Sequence, residues 1–393
     1  MQEIGQIHQK EYELTNDRTT PIAFAQAPGR IHFLGGHGEP EANLYLSAAI
    51  DRFINVTVSA RKDNSFRFFA SNFKERKRST LTNLKYRRED RWANHLKPAI
   101  MLFIELGYPM KGLNFTFCGD IPQNIALASS TAIEVAAATA IKSLLRVQIS
   151  DIDMAVKLKS VHDRMFAETT NQASLADYLT CLMARKDQFL LIDSFACETK
   201  LIKSPLSGFR ILLVDSRVPR MGTGAEAEVA ARQEDILKGL ELLSERQKGA
   251  HLKDFAPTDL IEELGNFPEQ IRRRSMHIVE EIHRVNDAAA ALERCDIASF
   301  AKIIYHSHES LRDLYEISCP EIDWLVKRSV EIEGAAGSRM TGLGFGGCTY
   351  TIIRRELVDE YTKRLEDYER IFGFRPVIYE VKLASRAKII KLD

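Results

Sequence analysis

Net charge is missing from this sequence: Lys plus Arg and Asp plus Glu both number 54, and no long block of either sign occurs. A surface that tracks a phosphate backbone or an anionic membrane needs such a block, so neither nucleic acid nor a membrane is an expected partner. Also missing is any apolar run near the ~20 residues that span a bilayer. The first residues, Met1 to His8, carry charge and no apolar segment, so no secretory signal is expected and a cytoplasmic setting follows. Six cysteines (Cys118, Cys181, Cys197, Cys295, Cys319 and Cys348) include no CxxC pair, which disfavours a disulfide framework and a zinc site. They are expected as reduced, mostly buried thiols. Repeats and low-complexity segments are absent too.

What is present is ordinary globular material, 45% hydrophobic and 27% charged over 393 residues, enough for two domains sharing a cleft. Residues 53–59 and 112–118 alternate apolar and polar positions as half-buried strands do. From Thr131 the period becomes helical, with Ile133, Ala136, Ala137 and Ile141 on one stripe and Thr131 with Glu134 as a capping box. Short apolar runs at 188–193 and 210–215 read as strands, and Ser204 to Gly208 between them is the expected lobe boundary. Long helical patterns follow at 223–248, 267–295 and 297–315, then a glycine-rich turn and a last strand at 350–353. Strands first and helices second predict an α+β fold of two lobes, here taken as residues 1–205 and 206–393.

Three segments concentrate chemistry. Ala27 to Pro40 gathers Arg30, His37, Glu39 and four glycines, a loop able to wrap a polar ligand or simply to turn. Gly119 to Glu134 is a loop feeding a helix, whose exposed N–H groups and positive dipole end suit an anion, with Ser129 and Ser130 as hydroxyls near it. Its plain alternative is an ordinary serine-capped turn. Gly337 to Thr349 places glycines so densely that close backbone approach is the better explanation. The run at Arg272 to Arg274 reads as a solvated helix face.

In this order and spacing, the three segments resemble the three motifs of the GHMP kinase superfamily, in the form seen in galactokinases. The likeness runs from about residue 20 to the end and is strongest in Ser307 to Asp323 and the glycine-rich segment after it; Trp92 to Lys97 also resembles a galactokinase helix. The resemblance implies a two-lobed fold, with a ribosomal-protein-like N-terminal lobe and a ferredoxin-like, helix-rich C-terminal lobe, and an active site in the cleft. It implies transfer of a phosphoryl group from ATP to a sugar C1 hydroxyl with Mg²⁺ as cofactor. It also implies a small-molecule sugar and ATP as the only partners, for a monomer or weak homodimer. By the same resemblance Asp177 is the base and Arg30 its electrostatic partner. Gly36, His37, Glu39 and Asp177 are the sugar positions. Asn124, Ala126, Ala128, Ser129, Ser130, Gly344 and Gly346 are the ATP positions, and Ser130 with Asp163 would hold the metal.

The chain departs from the pattern where chemistry is expected. Asn124 and Ala126 stand where the phosphate motif has glycines, so Ile125 and Ala126 are expected to put side chains where N–H groups should face phosphates. Gly36 replaces a sugar-binding glutamate, Glu39 an aspartate, and Ala227 a tyrosine. Three readings follow: a galactokinase-like sugar kinase, a catalytically impaired paralogue that binds sugar or nucleotide as a regulator, and a GHMP kinase for a non-sugar alcohol.

Overall fold

In the computed structural model, residues 2–14, 20–39, 43–169, 173–219, 224–263 and 265–391 are described. Two sheets organise the chain. The first is built from β1 (Ile22–Gly35), β2 (Leu44–Ala60), β3 (Ser65–Ala70), β4 (Glu75–Thr80), β5 (Leu113–Gly119), β6 (Gln188–Asp193) and β7 (Glu198–Lys203). The second holds β8 (Phe209–Asp215), β9 (Ala335–Thr341), β10 (Cys348–Arg354) and β11 (Val377–Val381) in the order β11-β8-β10-β9. Ser204 to Gly208 links β7 to β8, that is, one sheet to the other.

The chain does not finish in the second sheet. After β10 and β11 a two-residue strand, β12 (Lys388–Ile389), returns to the first sheet and pairs with β1, Ala25 opposite Ile389. The sequence reading ended at β10. Strand β11 leaves most of its side chains half-buried or exposed and β12 is too short for any periodicity, so neither gave a pattern.

Strands β1 and β2 form a long antiparallel hairpin, interrupted by irregularities at Pro28/Gly29 and His32/Leu34. Beyond it β2 divides its edge: residues 54–60 pair with β5 and residues 44–47 with β6. The predicted strand at 53–59 is therefore one end of a 17-residue element. Burial runs almost unbroken along β1 because helices cover the sheet, and this hid the first segment as a strand; it reads as a loop by its glycines yet is extended through Gly35.

Helix α1 (Gln2–Glu11) docks through His8, which is fully buried between Thr116 and Ser59, each hydroxyl 2.8 Å from a ring nitrogen. Burial holds its pKa down to about 3 from the ordinary 6.5. The unfolded chain thus binds a proton that the folded chain refuses. This contribution is complete above pH 6.5 and is lost as pH falls toward 3, with a slope of about 1.4 kcal/mol per pH unit. Urea midpoints measured between pH 7 and 4 should fall accordingly, and His8→Gln should flatten that part of the curve.

Helices α2 (Lys97–Glu105), α3 (Ser129–Leu144), α4 (Asp151–Phe166) and α5 (Leu175–Met183) belong with the first sheet. The rest are α6 (Ala225–Ser244), α7 (Pro257–Glu262), α8 (Glu269–Glu293), α9 (Ile297–Asp313), α10 (Pro320–Val330), α11 (Val358–Arg364) and α12 (Asp367–Phe372), of which α6, α8 and α9 fill the three predicted helical spans. The capping box expected at Thr131 and Glu134 does not form. Helix α3 starts two residues earlier, after Ala128, and both residues are buried. Because α3 is covered nearly all round, Glu134 needs partners inside: it accepts from the Tyr178 hydroxyl at 2.6 Å and pairs with His162 at 2.8 Å.

Other readings change as well. Arg274 is buried and paired with Asp235 across α6 and α8, while Arg272 pairs with Glu269 on the surface. Trp92 to Leu96 lies in a 3-10 segment kinked at Arg91, with Lys97 opening α2. Of the cysteines only Cys181 and Cys348 are buried, and all six are free thiols. No helix among the described residues is long and apolar enough to cross a membrane.

Candidate active site

Arg30 and His32 lie two apart on β1, so their side chains leave the same face of the strand. Opposite them stands Asp177, the third residue of α5. Its place is fixed by a capping box: the Ser174 hydroxyl accepts from the Asp177 N–H at 3.2 Å, and Asp177 Oδ2 accepts from the Ser174 N–H at 2.8 Å. The other oxygen, Oδ1, accepts from Arg30 Nε at 2.5 Å and from His32 Nε2 at 2.8 Å. Burial pushes the Asp177 carboxyl up, but the Arg30 charge and the hydrogen bond from His32 more than offset it, and the group is held well below the usual carboxylate range.

Arg30 also reaches the second motif. Its Nη1 donates to the Ala126 carbonyl at 2.5 Å and its backbone N–H to the Leu127 carbonyl at 3.1 Å. One guanidinium therefore joins the carboxylate to the loop that precedes α3.

That loop keeps a tight path without glycine. Asn124, Ala126 and Ala128 have φ of 63°, 62° and 57°, all left-handed, while Ile125 and Leu127 between them are buried in the core. The alternation explains the geometry. Each left-handed non-glycine residue costs about 1–3 kcal/mol, and burying a large apolar side chain such as Ile125 or Leu127 returns about 1.5–3 kcal/mol. The expectation that Ile125 intrudes on the phosphate side is thus overturned: its side chain points into the core. Ala128 then serves as N-cap of the 16-residue α3 with no side-chain cap, and Ser129 and Ser130, both part-exposed, open its first turn. Asn124, Ala126, Ala128, Ser129 and Ser130 are thus gathered at the positive end of a helix, where an anion is favoured.

Gly36, His37 and Glu39 follow β1. The Gly35 N–H donates to Glu281 at 3.0 Å, and the His37 carbonyl accepts from the Tyr315 hydroxyl at 3.0 Å. Gly36 has φ +89°, and an added Cβ would lie 3.4 Å from the Tyr45 ring. Glu39 is buried with both oxygens engaged, by Leu252 N–H at 2.6 Å and His251 Nδ1 at 2.9 Å, so it ties this turn to the 251–252 segment. Ala227 is exposed on α6.

The third motif forms the turn between β9 and β10. A Cβ on Gly344 would sit 2.6 Å from the Ile317 carbonyl, and one on Gly346 would sit 2.8 Å from the Val218 side chain. Their close approach is made to the protein itself.

Asp163 lies on the outer side of α4, half-exposed and paired with Lys159 at 2.5 Å, while its neighbour His162 faces inward to Glu134. Among the described residues no group of three or more His, Cys, Asp or Glu could hold a metal ion. Asp163, turned outward to Lys159, therefore does not fit the part of a magnesium ligand, and at the loop the hydroxyls of Ser129 and Ser130 are the donors present.

His32 is the site residue that sequence reasoning passed over. Its signal was the spacing: once 27–35 is a strand, residues 30 and 32 share a face. Read as a loop, the segment gave no such rule.

Residues 94–185 match the N-terminal domain of GHMP kinases and residues 288–368 their C-terminal region. The chain is 37% identical, over 99% of its length and 97% of the relative's, to a provisionally named galactokinase of Treponema pallidum (strain Nichols). It is 28% identical to the galactokinase of Bacillus subtilis (strain 168), with 94% and 95% covered. Its fold is similar to that of the Lactococcus lactis galactokinase complexed with galactose, at a TM-score of 0.90 with 21% identity over 98% and 99% of the two chains. A mevalonate kinase structure is similar at 0.61, with 16% identity over 92% and 99%. The chain belongs to the galactokinase family of the GHMP kinases.

Proposed function

We propose that this protein transfers the γ-phosphoryl group of ATP to the C1 hydroxyl of galactose or a related monosaccharide. The observation that carries the reading is the Arg30 bridge, which holds the Asp177 carboxylate and the Ala126 carbonyl of the loop in one hydrogen-bonded unit. Phosphoryl transfer asks the protein mainly to position reactants and to neutralise charge. In the proposed step the sugar oxygen bonds to the γ-phosphorus as the bond to the β–γ bridging oxygen breaks. ADP leaves, and the hydroxyl proton passes to Asp177. Arg30 faces the charge that develops on the transferring group, and the loop with the N-terminus of α3 receives the other phosphates.

Magnesium is expected to come with the nucleotide, keeping several of its waters, and Ser130 would offer it a hydroxyl at the loop; Asp163 takes no part. Residues 1–205 would supply the sugar turn and the phosphate loop and residues 206–393 the third motif, in a cytoplasmic monomer or weak homodimer. The reading as a silent sugar- or nucleotide-binding paralogue leaned on the glycine-free second motif, whose Ile125 lies in the core.

The test is calorimetric titration with ATP, followed by a coupled ADP-release screen over monosaccharides. ATP binding and turnover of galactose or an epimer are expected. No nucleotide binding at millimolar concentration, at the upper end of ordinary KM values, would overturn the proposal.

A further inference from the structure

We infer that His32 is a positioning residue for the reaction: it fixes the plane of the Asp177 carboxylate so that Oδ2 is the oxygen presented to the incoming hydroxyl. The inference rests on the proposed sugar kinase reading and deepens it.

The starting point is the hydrogen-bond inventory. An ionised carboxylate has about four lone-pair sites, two on each oxygen. On Asp177 Oδ1 both are filled, by Arg30 Nε and His32 Nε2, whereas Oδ2 takes the Ser174 N–H. The remaining site is on Oδ2. Arg30 and the Ser174 N–H each hold one oxygen of the carboxylate and leave a lone pair of Oδ1 open; the donor from His32, at the next inward position of the same strand, fills it and leaves the acceptor that remains on Oδ2.

His32 is itself held from behind. Ser47 stands directly across the β1–β2 ladder from His32, and its buried hydroxyl is 2.5 Å from Nδ1. The Tyr45 ring packs against the imidazole at 4.8 Å. The groups facing the ring are Arg30 on its own strand, Tyr45 on β2, Asp177 on α5 and the Arg339 charge on β9. Burial first, then Arg30, hold the imidazole pKa down to about 4, against the pull of Asp177. At neutral pH the ring is therefore uncharged. Its single N–H must sit on Nε2, because Asp177 only accepts, and Nδ1 then accepts from the Ser47 hydroxyl. Ser47, His32 and Asp177 form a chain of donors running in one direction into the carboxylate, and an uncharged donor orients Asp177 without competing with Arg30 for its charge.

Two substitutions separate positioning from plain support of the fold. His32→Leu fills the space without a donor, and is expected to lower kcat by about 10–100-fold, the usual loss when a supporting hydrogen bond to an active group is removed, with KM for ATP unchanged. His32→Gln places an amide N–H close to where Nε2–H was, and should recover most of the loss. A His32→Leu protein within threefold of the parent kcat, or a His32→Gln protein no better than His32→Leu, overturns the inference. A readout independent of turnover keeps it apart from the kinase reading. Nitrogen NMR of the imidazole should show a neutral ring protonated on Nε2 at pH 7, with that signal moving in Asp177→Asn. A charged ring, or a proton on Nδ1, overturns the inference even in an active kinase; a neutral Nε2–H ring in a protein that phosphorylates no sugar overturns the kinase reading instead.

Discussion

Asp177→Asn is expected to lower galactose turnover by about 10²–10⁴-fold, the span of a positioned acid–base group, while ATP still binds. The amide can direct its oxygen at Arg30 and His32, but its NH₂ then meets the Ser174 N–H, donor against donor, and the capping box opens. A lost cap costs about 1 kcal/mol, so the variant should fold and melt a few degrees lower. Because Arg30 and His32 hold the carboxyl well below the usual range, no ionisation of Asp177 should show in a pH–rate profile above pH 4. Coupled ADP release and calorimetry on the same preparation check both halves; turnover within tenfold of the parent removes Asp177 from the mechanism.

The second large effect lies behind the sugar turn. Glu281 and Arg339, 2% exposed each, are 3.2 Å apart. Arg284 and Ser307 also bind Glu281, at 2.7 and 2.8 Å, and the Gly35 N–H completes its set. Burial pushes the Glu281 carboxyl up, and Arg339 and Arg284 pull it well below its ordinary value. Arg339→Met leaves this charge short of a partner in a dry site, at a cost of about 3–5 kcal/mol. The expected result is a large drop in urea midpoint. Since Glu281 also receives Gly35, KM for the sugar should rise in whatever enzyme still folds. A loss of unfolding free energy under about 1 kcal/mol would mean that water reaches the network.

The sequence made the helices legible where a polar face survives: α6, α8 and α9 fall on the predicted spans because their exposed sides keep a 3.6-residue period. It made β1 illegible. Pro28, Gly29 and Gly35 punctuate that strand as they would a loop, and its burial on both faces erases the alternation that marks a half-buried strand. Asp177 and Arg30 were legible through family motifs. His32 was not, because a residue's value as a hydrogen-bond donor depends on which carboxylate a separate helix brings to it. Asp163 shows the converse: its motif position suggested a ligand, and the turn of α4 sends it outward to Lys159 while His162 takes the inner place.

By itself the sequence determined the reaction class, the pair Asp177 and Arg30, and the order of the motifs, because family membership and charged residue types are written residue by residue. Only the tertiary structure decided that the glycine-free loop keeps its path, that Asp163 faces away and that His32 joins Asp177. Each of these depends on where a side chain's neighbours end up. For Ile125 and Leu127 the core supplies the burial that offsets left-handed backbone at 124, 126 and 128, a balance that no local pattern encodes.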